Sequence, residues 1–162
     1  FWLSENPDTI SVGWDAALER ICTYALFKER KTADEFWVFN THFDHMGSTA
    51  RERSSGLILN RIDGVNRRSL PVILMGDFNS VPDSPPINKI KTEMHDALNI
   101  SWDEFQGPLG TFNGFDPDLP MERRIDYIFT KNVKVLSYTH INERMNNNRH
   151  ISDHLPVMVK IQ

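Results

Sequence analysis

A mixed α/β sandwich is the fold class this sequence predicts, on three observations. Short apolar runs of strand composition outnumber helical segments. One clear stretch with helical periodicity lies between two of those runs. The runs stop abruptly at turn, acid, amide or imidazole residues.

The elements follow in order. Arg20 to Phe27 (RICTYALF) is rich in aromatic and β-branched residues and reads as a strand. Lys28 to Glu35 is a charged turn, and Phe36 to His42 (FWVFNTH) reads as a second strand, so the two predict a hairpin. Thr49 and Glu52 have capping-box spacing for a helix start. Ala50, Leu57, Ile58, Ile62 and Val65 then share one helical face. Leu70 to Met75 is a continuous apolar run typical of a buried strand, and it stops at Gly76-Asp77-Phe78-Asn79. Val81 to Pro86 holds three prolines and predicts a loop leading into a short helix over Ile87 to Thr92. Trp102 to Pro120 is rich in Gly, Pro, Asp and Asn and predicts a long surface loop, a kind of segment that often carries function. Ile125 to Thr130, Val133 to Tyr138 and Leu155 to Ile161 read as three more strands, with a polar loop at Asn146 to His150 (NNNRH).

The 162 residues are 40% hydrophobic and 25% charged, which fits one globular domain with one sizeable core. The formal net charge of -4 excludes a strongly basic field that would hold nucleic acid non-specifically. A polyanionic substrate would need local cations and a bound metal. The single cysteine, Cys22, cannot form an internal disulfide, so the redox compartment stays open. No transmembrane run or signal peptide is read. The chain opens at Phe1 without an initiator Met, so a targeting segment cannot be judged and the cellular location is left unassigned.

The polar residues cluster at strand ends. The run Phe36 to Phe39 leads into Asn40, Thr41 and His42; the run to Met75 leads into Asp77 and Asn79. Asp126 interrupts the strand around Ile125, and Ser152, Asp153 and His154 precede the strand at Leu155. Charges are costly in apolar strands unless paired or coordinated, whereas strand ends can gather them into one cleft. Such a cleft would hold two His, three Asp and two Asn, a hard donor set suited to Mg²⁺ or Mn²⁺. The chemistry suggested is hydrolysis of a phosphate ester, with water activated by a base. Each residue also has an ordinary reading. Asp77 alone would be a turn former, His42 a hydrogen-bonded structural histidine, and Asp126 the partner of Arg123 or Arg124. Four such segments together weigh against that reading.

Asn40-Thr41-His42, Gly76-Asp77-Phe78-Asn79, Arg124-Ile125-Asp126-Tyr127-Ile128-Phe129 and Ser152-Asp153-His154-Leu155-Pro156-Val157 also occur in a known order. In this the chain resembles the endonuclease/exonuclease/phosphatase superfamily, which includes pancreatic deoxyribonuclease and the carbon-catabolite-repressor-type deadenylases. The opening Phe-Trp-Leu-Ser-Glu-Asn-Pro and the stretch Gly13-Trp14-Asp15-Ala16-Ala17 to Arg20 resemble a bacterial subgroup near the deadenylases.

The resemblance implies part of a four-layer α-β-β-α sandwich and a Mg²⁺- or Mn²⁺-dependent phosphoesterase. By the same resemblance Asp126 would orient His154, the general base or phosphate ligand. Asp77 and Asn79 would position the attacking water and help bind the metal, with Asp153 as a further metal ligand. His42 would stabilise charge on the phosphate or protonate the leaving oxygen. Arg20 is a candidate phosphate contact. Asn113 and Phe115, in the long loop, are candidates for a base or sugar. The expected substrate is nucleic acid, cleaved as a 3'-5' exonuclease or endonuclease would. Alternatives are a small or lipid phosphoester, such as an inositol phosphate or sphingomyelin, or a catalytically incomplete binding module. The family's earlier half, with its metal-binding Glu, has no counterpart here. Residues 1–162 are therefore expected to be the C-terminal portion of one domain, inactive by themselves, with that missing half as the one protein partner needed.

Overall fold

The chain is described from a computed structural model covering residues 1–116 and 118–162. Its elements are β1 (Cys22–Lys28), β2 (Glu35–His42), α1 (Ser48–Val65), β3 (Val72–Asp77), α2 (Pro85–Lys91), β4 (His95–Asp96), β5 (Asp126–Lys131), β6 (Val135–His140) and β7 (Val157–Ile161). Five strands form one sheet in the order β1-β2-β3-β5-β4, and β6 with β7 form a second. The β1–β2 pair is the expected antiparallel hairpin. The β2–α1–β3 segment is a crossover, so β2 and β3 run parallel.

Alternation along the central strands sorts side chains between two cores. Phe39, Leu74 and Phe129 face Ile58 and Ile62 of α1 and Ile87 and Ile90 of α2. Ile73, Ile128 and Val38 face Val135 and Tyr138 of the second sheet, together with Val157 and Val159. A helical layer, the five-stranded sheet and the two-stranded sheet thus stack as part of an α-β-β-α sandwich.

Register then decides where the polar strand ends go. Thr41 lies opposite Gly76 and His42 opposite Asp77. On the other side of β3, Asp77 lies opposite Asp126. One edge of the sheet therefore carries His42, Asp77 and Asp126 on three adjacent strands. Gly76 is required here: its φ is +140°, and a Cβ would sit 1.8 Å from the Thr41 carbonyl oxygen.

The structure departs from the sequence reading in several elements. Thr49 and Glu52 are not a capping box. The N-cap is Gly47, and the cap is supplied from afar. The Asp15 carboxylate accepts from the N–H of Thr49 and Ala50, at 3.1 and 2.6 Å. Thr49 already lies inside the first turn, so its hydroxyl is past the capping position. On α1, Ala50, Ile58 and Ile62 are buried as expected, while Leu57 and Val65 pack at the margin. The second helix begins at Pro85 rather than Ile87, because proline's fixed φ suits a first helical position. β7 starts at Val157, past Pro156, which has no N–H for a ladder. β6 starts at Val135 and ends at His140, two residues later than read. β4 was not foreseen. The segment from Trp102 to Pro120 is irregular but tied down: Trp102 and Asp103 donate to the carbonyls of Val135 and Leu136. Pro117, within it, lies outside the described residues.

Candidate active site

Asp77 is held at the end of β3 by a tight turn. The N–H of Asn79 (φ 45°) donates to Asp77 Oδ1 at 2.8 Å, and Asn79 Nδ2 donates to the Phe43 carbonyl at 2.9 Å. Between them Phe78 is fully buried, edge-on to Phe43, Tyr127 and Phe129. This apolar peg fixes the turn in the core and leaves the acid and the amide at the rim.

Asp126 opens β5, where its N–H and that of Ile125 donate to the buried hydroxyl of Thr111, at 3.2 and 3.1 Å. The Asp126 Oδ2 then accepts from His154 Nδ1 at 2.8 Å. That bond assigns the Nδ1–H tautomer and turns Nε2 toward Asp77, whose Oδ2 is 3.9 Å away. His42 Nε2 is 3.2 Å from the same oxygen, so the Asp77 carboxylate lies between two imidazoles. The His154 ring rests against Phe112, with centroids 4.8 Å apart.

The electrostatics follow from burial and pairing. Burial raises the pKa of Asp77, and the nearby Asp126 charge adds to it. Burial lowers the pKa of His42, outweighing attraction to Asp77. The hydrogen bond to Asp126 raises that of His154. Among the described residues, one group of acid and imidazole side chains has its ligand atoms within 4.8 Å of one another: Asp77, Asp126 and His154. A half-buried Asp77 beside a second carboxylate, with the Asn79 amide adjoining, is a hard donor set. A divalent cation would relieve its repulsion, so these residues fit such an ion.

The remaining candidates divide. Asp153 stays outside that group; its carbonyl accepts from Asn113 N at 3.1 Å, and its carboxylate accepts from the Ser152 hydroxyl at 3.4 Å. Arg20 shares a hollow of about 260 Å³ with Thr41 and His42, its Nε 3.7 Å from Asp44 Oδ2. Asn113 is buried. Its amide donates to the Asp116 carbonyl and accepts from Phe115 N, so it organises its own loop. Phe115 is exposed. Arg124 pairs with Asp96 rather than Asp126. Sequence reading missed Thr111 and Phe112. Both lie in the irregular stretch, and neither type in isolation signals a site. No helix among the described residues is long and apolar enough to cross a membrane.

Comparison with known proteins places this geometry. The Endonuclease/Exonuclease/phosphatase family profile matches residues 4–154. An uncharacterised protein of Acanthamoeba polyphaga mimivirus is 30% identical over 98% of the chain and 62% of its own length. A mannosyl-6-phosphatase of Bacteroides thetaiotaomicron is 38% identical with a TM-score of 0.91, over 100% of this chain and 64% of that one. An endonuclease/exonuclease/phosphatase family protein of the same organism is 38% identical with a TM-score of 0.90, over 99% and 62%. The catalytic domain of human Nocturnin shares the fold, at 18% identity and a TM-score of 0.68, over 88% and 53%. The chain thus spans under two thirds of the length of each of these relatives.

Proposed function

The chain belongs to the endonuclease/exonuclease/phosphatase family, and on that premise we propose that the protein is a divalent-metal-dependent phosphoesterase acting on a small phosphorylated molecule. One observation carries the chemistry: Asp126 fixes His154 at 2.8 Å while Asp77 stands between His154 and His42. The likeness to a mannosyl-6-phosphatase supports a phosphorylated sugar, and the net charge of -4 weighs against long nucleic acid. Nucleic-acid hydrolysis is the second reading, supported by the four motifs shared with nucleases.

Asp77 and the amide oxygen of Asn79 are the donors we assign to the ion; Asp153, outside their group in this structure, is proposed as a further carboxylate on the family resemblance alone. When bound, Mg²⁺ or Mn²⁺ neutralises phosphate oxygens and acidifies water. The chain's own groups do the rest. Asp126 holds the proton of His154 at Nδ1, leaving the Nε2 lone pair free to accept a proton or a P–OH hydrogen bond. Asp77 orients the water by accepting its hydrogen bond. His42 donates from Nε2 to the oxygen that gains charge. Arg20, beside His42, adds a cation for a phosphate oxygen. Phe115 offers an exposed aromatic face to the leaving group. We read residues 1–162 as the C-terminal portion of one domain, inactive alone because part of the ion's ligation comes from elsewhere.

The test is a panel on the full-length protein: mannose 6-phosphate, p-nitrophenyl phosphate, bis-p-nitrophenyl phosphate and a single-stranded oligonucleotide, each with Mg²⁺ or Mn²⁺. Expected is turnover of the monoesters that a chelator stops and His154→Ala abolishes. Turnover indifferent to both, or hydrolysis of none of the four, defeats the proposal.

A further inference from the structure

A second cavity, of about 380 Å³, adjoins the candidate site through Asn79. Its wall carries Arg51 from the first turn of α1 and Arg123 from the approach to β5, with Ser80, Ser48 and Glu52. Among the described residues neither arginine is in an ion pair, a state shared with Arg30, Arg53, Arg67, Arg144 and Arg149, none of which lines this cavity. Arg51 donates from one nitrogen to the Asp44 carbonyl at 3.0 Å, which anchors the side chain and leaves its charge uncompensated. Arg123 lies over the Phe112 ring at 5.4 Å, and Phe112 rests in turn on His154. Two guanidinium groups against one carboxylate make this wall locally positive in a chain of net charge -4.

Ser80 is 5% exposed, and its enclosed hydroxyl has no hydrogen-bond partner among the described residues. The two guanidinium groups therefore make the polar contacts with an occupant, and the enclosed Ser80 closes the wall behind them. Its backbone is fixed, since the Tyr127 hydroxyl donates to the Ser80 carbonyl at 2.8 Å. The end of α1 plays no part in this. Asp15 and Asp44 already accept from the N–H groups of Thr49, Ala50, Met46 and Gly47.

We propose that this cavity binds a second phosphate group of the substrate, held by Arg51 and Arg123 while the scissile phosphate lies at Asp77 and His154. The proposal rests on the phosphoesterase reading above and deepens it: single-phosphate monoesters are accepted, and substrates with a second phosphate bind more tightly. The second phosphate can come from a bisphosphorylated sugar or from the next linkage of a nucleic acid. A fork of guanidinium donors suits either.

The experiment measures binding to the full-length protein in a chelator, so that no turnover intervenes. One arm compares a hexose monophosphate with the matching hexose bisphosphate. The other compares a dinucleotide, with one phosphate, with a trinucleotide, with two. The two-phosphate member should bind at least about tenfold tighter in the arm that matches the natural source, as one charge-assisted contact gives. Arg51→Gln and Arg123→Gln should each remove most of that preference at an unchanged melting temperature. Equal affinities within both pairs overturn the proposal on the unmutated protein alone. So does a preference that survives both arginine substitutions. Turnover after metal is restored reports on the phosphoesterase reading separately, so the two can fail independently.

Discussion

Strand β5 and its approach carry two acid–base pairs, two residues apart, with opposite uses. Arg124 pairs with Asp96 in the interior, where the side chains are 8% and 5% exposed. The guanidinium also lies 4.2 Å above the Tyr127 ring. That pair is enclosed, and it ties the short β4 to β5. Asp126 pairs with His154 at the rim, where the side chains are 17% and 28% exposed. There the carboxylate uses one imidazole nitrogen and leaves the other facing a second acid. A polar pair closed on itself stabilises; one left open on a single side is prepared for chemistry.

Two substitutions test this contrast most directly. Asp126→Asn in the full-length protein keeps the shape but presents the wrong tautomer of His154. Turnover should fall by up to about ten-thousandfold, roughly 5.5 kcal/mol of barrier, with little change in melting temperature. Near-normal turnover would refute the orienting role of Asp126. Arg124→Met should do the reverse. It strands Asp96 in the interior and should cost about 3–5 kcal/mol in urea unfolding. A loss below about 1 kcal/mol would mean that the buried pair is not what secures β4.

How much of this was legible in the sequence depends on how far apart the partners lie. β3 was readable because a continuous apolar run breaks at Gly76, and the hairpin because aromatic and β-branched runs flank a charged turn. The gathering of His42, Asp77 and Asp126 followed from polar residues at strand ends, but their adjacency is a property of register, which no local pattern states. His154 lies 28 residues from Asp126 in sequence and was tied to it through the family motifs alone. The cap on α1 comes from Asp15, 35 residues upstream of Ala50, so the local Thr49–Glu52 spacing misled. β4 is too short for any periodicity to show. Thr111 and Phe112 act through contacts with Asp126 and His154 that an irregular segment does not announce.

Asp44 sharpens the comparison from a third position, since it is buried and satisfied by backbone donors rather than by a cation alone. Burial would raise its carboxyl. The N–H groups of Gly47, Ala17, Met46 and Leu18 overcome this and hold the pKa at about 2. The sign follows directly. The folded value lies below the unfolded value of about 3.9, so the stabilisation is present above that pH and disappears as pH falls toward 2. Asp44→Asn should therefore cost about 2 kcal/mol at neutral pH, a typical figure for lost capping of charged type. The gap between variant and parent should narrow as pH falls below about 3.9 and close near pH 2. A gap that stays constant from pH 7 to pH 2 would assign the loss to packing instead.

The smallest expected effect is at Phe112, which separates support of His154 from support of the fold. Its ring is 4.8 Å from that of His154 at an interplanar angle of 57°, and Arg123 lies over it at 5.4 Å. Its backbone bridges both Arg123 and His154, so the main chain here is fixed whatever the side chain is. Phe112→Leu keeps an apolar side chain of similar reach and removes the π face. Aromatic pairs contribute about 0.5–1.5 kcal/mol beyond the area they cover. If that energy only helps the loop fold, the melting temperature falls and kcat/KM does not. If it holds the imidazole plane against Asp126, kcat/KM falls about three- to tenfold while stability changes by less than about 0.5 kcal/mol. The second outcome is expected, because the Asp126 hydrogen bond fixes one ring atom and leaves rotation about that bond to be stopped by whatever lies against the ring's face. The loss should also shrink in an Asp126→Asn background, where the imidazole no longer has a fixed tautomer to orient. Additive losses in the double variant would show that Phe112 acts on something other than the His154 plane.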